Sequence, residues 1–410
     1  MMRSLAVVAS VVIVLSGPVR PAFADETCPG CLGGGKVGCP ACAGAFGIFF
    51  IGSCGRCQGF YGWMHKGRCT LCYDTGKCHQ CKGQGMACMV CKGSGRVADG
   101  TAAAIAKREK EANLAAMKRL AFFEGSWKSK GTEGEKQITA EYRWEKCVEG
   151  ACLRLTERSR EDEEKVTDLA GMLTYDPKQQ CYLLLVFFQL GGSVRLTGKM
   201  NEKGDALVWS TWNNSGREIR ITWRLKPGQK RYDYTVELQG DEGYQQTGEG
   251  SGQRTGDASD FTIPDADLKE SLQPLGFLVG SWTGEEMDDK GKKTCSSRSR
   301  WEPVAGGAWL RSSVEFSRTD GTSGEAVDML GYDAGTKTYY DYMFFAPGRI
   351  LVFKGTAGEE EGVFEFKGHG LRWTMKSIPD EKRCDGTVEV DQGDGKWKLV
   401  SRSKSTRADR

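Results

Sequence analysis

The chain has 410 residues, too many for one ordinary core, so two or three domains are expected. With 57 Lys and Arg against 54 Asp and Glu the net charge is only +3, which excludes a global field suited to nucleic acid or an acidic membrane. Cysteine is unevenly spread: twelve of the 17 lie before residue 92, and glycine is concentrated beside them. That shift in composition places a domain boundary near residue 98.

Residues 1–24 read as a secretory signal. Met1-Met2-Arg3 is a cationic start, Leu5 to Leu15 is apolar, and Ala22-Phe23-Ala24 is a small-x-small cleavage site. The apolar run is too short to span a bilayer, and no later stretch reaches eighteen apolar residues. The expectation is an exported protein, periplasmic or extracellular, with no membrane span once the signal is removed. An uncleaved anchor is the alternative.

Residues 25–98 form the cysteine-rich segment. Its twelve cysteines fall in six Cys-x-x-Cys pairs: Cys28 and Cys31, Cys39 and Cys42, Cys54 and Cys57, Cys69 and Cys72, Cys78 and Cys81, and Cys88 and Cys91. Structural zinc takes four ligands in a tetrahedron, and each pair supplies two thiolates across one tight turn. Glycine after the second cysteine permits positive φ, which lets backbone N–H groups approach the sulfurs. Six pairs therefore make three four-cysteine sites, about three Zn2+ per chain.

Cys28-Pro-Gly-Cys-Leu-Gly-Gly-Gly35, Cys78-His-Gln-Cys-Lys-Gly-Gln-Gly85 and Cys88-Met-Val-Cys-Lys-Gly-Ser-Gly95 are full Cys-x-x-Cys-x-Gly-x-Gly repeats. In this the segment resembles the cysteine-rich zinc domain of DnaJ-type chaperones. The resemblance implies nested pairing of repeats: Cys28/Cys31 with Cys88/Cys91, Cys39/Cys42 with Cys78/Cys81, and Cys54/Cys57 with Cys69/Cys72. Six repeats stand where that family has four, and no His-Pro-Asp tripeptide of a J-domain is present, so stimulation of an Hsp70-class ATPase is not implied.

An oxidising compartment supports two rival readings of the pairs: structural disulfides, or a thiol-disulfide oxidoreductase or redox sensor. The glycine pattern, which disulfide frameworks do not need, favours zinc. Two apolar inserts separate the pairs, carrying Phe46, Ile48, Phe49 and Phe50 in one and Phe60, Tyr61 and Trp63 in the other. They either bind an unfolded client or envelope partner or form the segment's own small core.

Residues 99–121 are rich in Ala, Lys, Glu, Arg and Leu and predict a linker helix over 101–121, either docked on the next domain or standing free. Beyond it the pattern turns to period two, as in Ile138-Thr-Ala-Glu-Tyr-Arg-Trp144 and Tyr232-Asp-Tyr-Thr-Val-Glu-Leu238, predicting about ten strands in each of two halves. The halves repeat one another. Leu120-Ala-Phe-Phe-Glu-Gly-Ser-Trp127 returns as Leu275-Gly-Phe-Leu-Val-Gly-Ser-Trp282, and Arg143-Trp-Glu and Gly150-Ala-Cys-Leu-Arg154 return as Arg300-Trp-Glu and Gly307-Ala-Trp-Leu-Arg311. The expected limits are 122–252 and 270–405, joined by a linker at 253–269, with a short helix from Asp265 to Gln273.

So many short antiparallel strands must close or stack. The Gly-x-Trp starts at Gly125/Trp127 and Gly280/Trp282 resemble the lipocalin signature. With Gly306–Arg311 and Gly331-Tyr-Asp333, both halves resemble an uncharacterised bacterial family of lipocalin-like barrels related to nitrobindins. The resemblance implies that Trp127 and Trp282 plug one end of each barrel. The fold class is thus mainly β: a small multi-zinc module, a linker helix and two tandem antiparallel lipocalin-like barrels.

The barrels offer little catalytic chemistry. Of three histidines only His369 falls in them, which rules out a Ser-His-Asp arrangement common to both. Gly368-His-Gly370 reads as an exposed hairpin turn, with haem ligation as the alternative. Cys147/Cys152 and Cys295/Cys384 are candidate disulfides, and Cys181 a buried thiol. The interiors either enclose a small apolar ligand or are filled by aromatics, with Tyr142, Trp144, Trp209, Trp301 and Trp373 as candidates. The functional expectation is a non-enzymatic, exported zinc protein binding a client through the module or a small apolar molecule in the barrels.

Overall fold

The computed structural model describes residues 101–161, 165–212, 217–257, 266–392 and 395–408. It also describes the backbone of four short strands: β1 (Asp25–Thr27), β2 (Lys36–Val37), β3 (Met86–Ala87) and β4 (Arg96–Ala98). In that N-terminal unit β1 pairs with β4 and β2 with β3, both antiparallel.

The other unit holds two closed barrels of ten antiparallel strands each, in tandem. The chain is mainly β, as the alternation of apolar and polar residues predicts. The first barrel runs β5 (Gly125–Glu133), β6 (Lys136–Cys147), β7 (Cys152–Glu161), β8 (Lys165–Asp176), β9 (Cys181–Phe188), β10 (Ser193–Met200), β11 (Ala206–Trp212), β12 (Glu218–Lys226), β13 (Arg231–Gly240) and β14 (Gly243–Gly256). Every strand pairs with the next, and β14 returns to β5. The second barrel repeats this as β15 (Gly280–Asp288), β16 (Lys293–Val304), β17 (Trp309–Arg318), β18 (Ser323–Asp333), β19 (Thr338–Phe345), β20 (Arg349–Ala357), β21 (Val363–Gly368), β22 (Leu371–Ile378), β23 (Arg383–Asp391) and β24 (Trp397–Arg407), with β24 returning to β15. Closure leaves no barrel strand with an unpaired edge, which is why so much sheet remains stable without helical cover.

The linker helix α1 spans Thr101–Arg119. Its C-terminal half docks on the first barrel: Asn113 Nδ2 donates to the Tyr175 carbonyl at 2.7 Å, the Tyr182 hydroxyl donates to the Ala116 carbonyl at 3.1 Å, and Met117 is buried. The short helix expected from Asp265 to Gln273 is instead a 3-10 segment over Glu270–Leu278, where Pro274 removes the N–H that an α-helical turn would need. It buries Leu272, Leu275 and Leu278.

The two barrels pack through their outer faces around a shared apolar core. Ala170, Met172, Leu185 and Phe187 of the first meet Trp309, Val327, Met329 and Phe344 of the second. The contact is reciprocal. Arg154 donates to Ser313 Oγ at 3.3 Å while its counterpart Arg311 donates to Thr156 Oγ1 at 3.1 Å. Arg154 is paired with Glu145 and Arg311 with Glu302. Equivalent surfaces thus face one another across an approximate two-fold axis, the arrangement of an isologous dimer built within one chain. Gly348, at φ +80°, shows how tight the seam is: a Cβ there would collide with Asn113 and Thr174 across it.

Arg311→Ala is expected to cost about 2–3 kcal/mol of stability, measured by urea unfolding. This is below the ~3–5 kcal/mol of a fully buried pair, because the Glu302 side chain keeps 40% of its exposure and stays hydrated.

The barrel cysteines are all free thiols. Of the two candidate bridges, Cys147 and Cys152 stand opposite in register across β6 and β7, the placement their pairing requires, and are free thiols in this structure. Their mutual hydrogen bond, and then burial, holds Cys147 well above the ordinary thiol range. Cys295 and Cys384 lie on β16 and β23, with β15 and β24 between them. Three strand spacings amount to about 14 Å along the sheet, about twice the ~7 Å limit for bridged Cα atoms.

Candidate functional site

The interior of the first barrel is the candidate site. Its floor is aromatic: Phe123, Trp127, Trp144 and Trp209 are each at most 3% exposed. Trp127 Nε1 donates to the Phe123 carbonyl at 2.7 Å, and the ring stacks parallel to Tyr142. The second barrel repeats the device, with Trp282 Nε1 donating to the Leu278 carbonyl at 3.0 Å. Each tryptophan thus ties the 3-10 turn that enters its barrel to the first strand. Gly125 and Gly280, at φ +117° and +127°, let Arg254 and Arg407 close over them, and the Arg407 guanidinium lies 5.6 Å from the Trp282 ring.

Above the floor the first barrel becomes polar. The Tyr142 and Tyr232 hydroxyls are 2.5 Å apart, and Glu157 stands opposite Tyr142 in register. Burial pushes the Glu157 carboxyl up to about 7. It also raises the hydroxyls of Tyr142 and Tyr234, and the field of Glu157 adds to both shifts. Inward positions on β14 are glycines: Gly250 and Gly252 leave room for the rings of Tyr234 and Tyr232 to lie against the wall. Any Cβ there would strike those rings, so the glycine column keeps the two phenols in place and the lumen open.

Toward the mouth the lining is apolar and only partly buried: Leu169, Val186, Val194, Ile221 and Trp223 pack on the floor cluster but keep exposed surface. The rim opens into a depression of about 780 Å³ between β5, β6, β7 and β14, bordered by Glu133, Ile138, Thr247 and the ion pair of Lys136 with Glu161. The result is an apolar sleeve with the Glu157 carboxyl and three phenols at its depth, those of Tyr142 and Tyr232 bonded to each other and that of Tyr234 beside them.

A raised carboxyl pKa has a defined consequence for stability. Folded Glu157 holds its proton to about 7, whereas an ordinary glutamate releases it near 4.5. Its contribution is fully present below about 4.5 and is lost as pH rises through 7. Melts across that window should show stability falling by roughly 1–2 kcal/mol, allowing for water at the mouth, and Glu157→Gln should flatten this part of the slope.

Of the expected interior aromatics, Tyr142, Trp144, Trp209, Trp301 and Trp373 are all buried. His369 corrects the expectation of an exposed turn. It does occupy a positive-φ turn, but its ring folds back to accept the Val352 N–H and lies edge-on to Phe353. Burial lowers it to about 4.

The expected zinc ligands lie outside the described residues: Cys28, Cys31, Cys39, Cys42, Cys54, Cys57, Cys69, Cys72, Cys78, Cys81, Cys88 and Cys91. So do the expected client-binding residues Phe46, Ile48, Phe49, Phe50, Phe60, Tyr61 and Trp63. Among the described residues no three His, Cys, Asp or Glu side chains converge as a metal site, and no helix is long and apolar enough to cross a membrane.

Residues 269–407 match the family described as a protein of unknown function, DUF1579. The match coincides with the second barrel and its 3-10 entry. No curated protein matches the chain. Among solved structures it is similar to Rv2717c from M. tuberculosis, at 14% identity over 35% of this chain and 100% of that one, with a TM-score of 0.28. It is also similar to a DUF3598 protein of unknown function from Nostoc punctiforme, at 10% identity over 71% and 98% with a TM-score of 0.20. A third is kievitone hydratase from Nectria haematococca, at 9% identity over 70% and 89% with a TM-score of 0.16.

Proposed function

We propose that this chain is a small-molecule-binding protein whose first barrel takes a small apolar ligand bearing one hydrogen-bond donor. The observation that carries this is the ring of half-exposed apolar side chains inside a concave wall, Leu169, Val186, Val194, Ile221 and Trp223, above the Glu157 carboxyl. Apolar surface left open inside a barrel is stabilised by a guest at about 25 cal/mol per Å². The neutral dye N-phenyl-1-naphthylamine has such a body and a single N–H. Its fluorescence should rise saturably with one site per chain, and Ile221→Trp, which fills the sleeve, should abolish the rise. Equal binding by Ile221→Trp would refute the reading.

A second reading concerns the cysteine module, and the backbone ladders favour it. Thr27 pairs with Arg96 and Lys36 with Ala87. The repeats Cys28–Gly35 and Cys88–Gly95 fill the two intervals between those pairs, and the intervals have equal length. This register supports Cys28, Cys31, Cys88 and Cys91 as one zinc site, the outermost of three nested ones. Inside it the same nesting would give Cys39 and Cys42 with Cys78 and Cys81, then Cys54 and Cys57 with Cys69 and Cys72. Bound zinc would supply the folding energy that a segment this small lacks in apolar core. Together with the signal-like residues 1–24, it supports an exported zinc-stapled module that holds a client or envelope partner. Metal analysis with a thiol count on the exported chain should give about three zinc ions and no disulfide in the module. Six disulfides without metal would favour the redox alternative.

A further inference from the structure

The interior of the second barrel differs from the first in kind. It is closed, and one wall is made of small polar side chains, with Ser403 and Ser405 on β24 and Ser297 and Ser299 on β16 all at most 9% exposed. The opposite wall is aromatic: Phe353 is fully buried, and Phe366 stacks on Trp373 at 4.3 Å.

Three carboxyl groups stand in this interior: Glu286 on β15, opposite Cys295 and Ser403 in register and within the field of Arg318, and a pair that no cation reaches. Asp328 on β18 and Asp341 on β19 are both fully buried, and their inward positions are diagonal neighbours, since Asp328 is paired with Met343 and Leu330 with Asp341. Ser312 donates to Asp328 Oδ2. Asp328 Oδ1 and both Asp341 oxygens have no partner. No cationic side chain is among the groups that perturb either one; burial dominates both, and Asp341 also feels Asp328. In the same interior the indole N–H groups of Trp301 and Trp373, 1% and 0% exposed, have no acceptor. Each unmet buried group costs about 1–3 kcal/mol, and five of them approach the whole stability of an ordinary domain. Free acceptors and free donors therefore share one closed space without meeting. A molecule carrying both donors and an acceptor would join them.

We propose that the second barrel binds a small hydroxylated amine, its ammonium held by Asp328 and Asp341 and its apolar body against the aromatic wall of Phe353 and Phe366. An ammonium provides the donors and the positive charge that the carboxyl pair lacks, while the hydroxyl gives an indole N–H its acceptor. Of the halves of the repeat only this one carries the pair: Gly171 and Leu184 occupy the corresponding positions of the first barrel. The assignment does not depend on the ligand reading of the first barrel.

Calorimetric titration of the full chain with tyramine and with ethanolamine tests it. At least one should bind saturably at one site per chain. Asp341→Asn and Asp328→Asn, which keep the side-chain shape, should each weaken that binding roughly tenfold or more. Tyrosol, the neutral alcohol matching tyramine, should bind at least about tenfold more weakly to the unaltered chain, a comparison that needs no variant to fold. Absence of saturable binding for both amines, equal affinity for tyramine and tyrosol, or a dependence on Glu157 in place of Asp341 would overturn the proposal.

Discussion

Trp282→Ala should lower the unfolding free energy of the second barrel by about 3–5 kcal/mol, a large part of what holds a domain folded. The ring is 1% exposed, is anchored to the Leu278 carbonyl, and ties the 3-10 entry segment to the barrel floor beneath Arg407. Alanine would leave a cavity between elements that cannot collapse onto one another, because the closed sheet fixes their spacing. Trp282→Phe keeps most of the ring and loses the indole donor, so it should cost nearer 1–2 kcal/mol by the same urea unfolding. A loss below about 1 kcal/mol for the alanine variant would remove Trp282 from its place as the plug.

Met329→Asp should have the second large effect, at the seam between the barrels. Met329 is fully buried there among Phe187, Trp309 and Phe344. Arg311 stands opposite Met329 in register but is already held by Glu302 and Thr156, so an ionised carboxylate at that point is poorly compensated and its burial costs several kcal/mol. Parting the two faces relieves that cost, since each barrel closes its own sheet. Small-angle scattering should therefore show a larger radius of gyration for Met329→Asp with strand content unchanged in circular dichroism. An unaltered radius together with unaltered stability would contradict the buried seam.

Much of the architecture was legible in the sequence because its signals are local. Period-two alternation in stretches such as Ile138–Trp144 marks a half-buried strand, and the doubling of Gly-Ser-Trp127 in Gly-Ser-Trp282 marks two copies of one unit. The seam was not legible. Trp309, Leu310 and Arg311 read as a family motif, but alternation does not say which face meets another domain, and only the fold shows that Arg311 and Arg154 reach across to Thr156 and Ser313. The cysteine pairing failed for a related reason. Cys295 and Cys384 look like partners when only thiols are counted, yet β15 and β24 separate them.

The candidate site was half legible. Tyr142, Trp144 and Trp209 were readable as interior aromatics, whereas Glu157 sits among charged residues of its strand, Arg154, Arg158 and Arg160, and carries no local signal of an inward position. Alternate glycines at Gly248, Gly250 and Gly252 were the available signal, since glycine on every second position of a strand marks a wall that something else lies against. His369 was misplaced because a Gly-His-Gly turn fixes the backbone but leaves the ring free to fold onto Phe353.

The most direct test of the ligand reading is to observe the sleeve itself. Methyl-labelled protein titrated with N-phenyl-1-naphthylamine should show saturable NMR shifts at Leu169, Val186, Val194 and Ile221, while Leu310, Val314 and Leu330 in the closed second barrel stay fixed. Shifts confined to the exposed outer residues Val166 and Leu190 would contradict it.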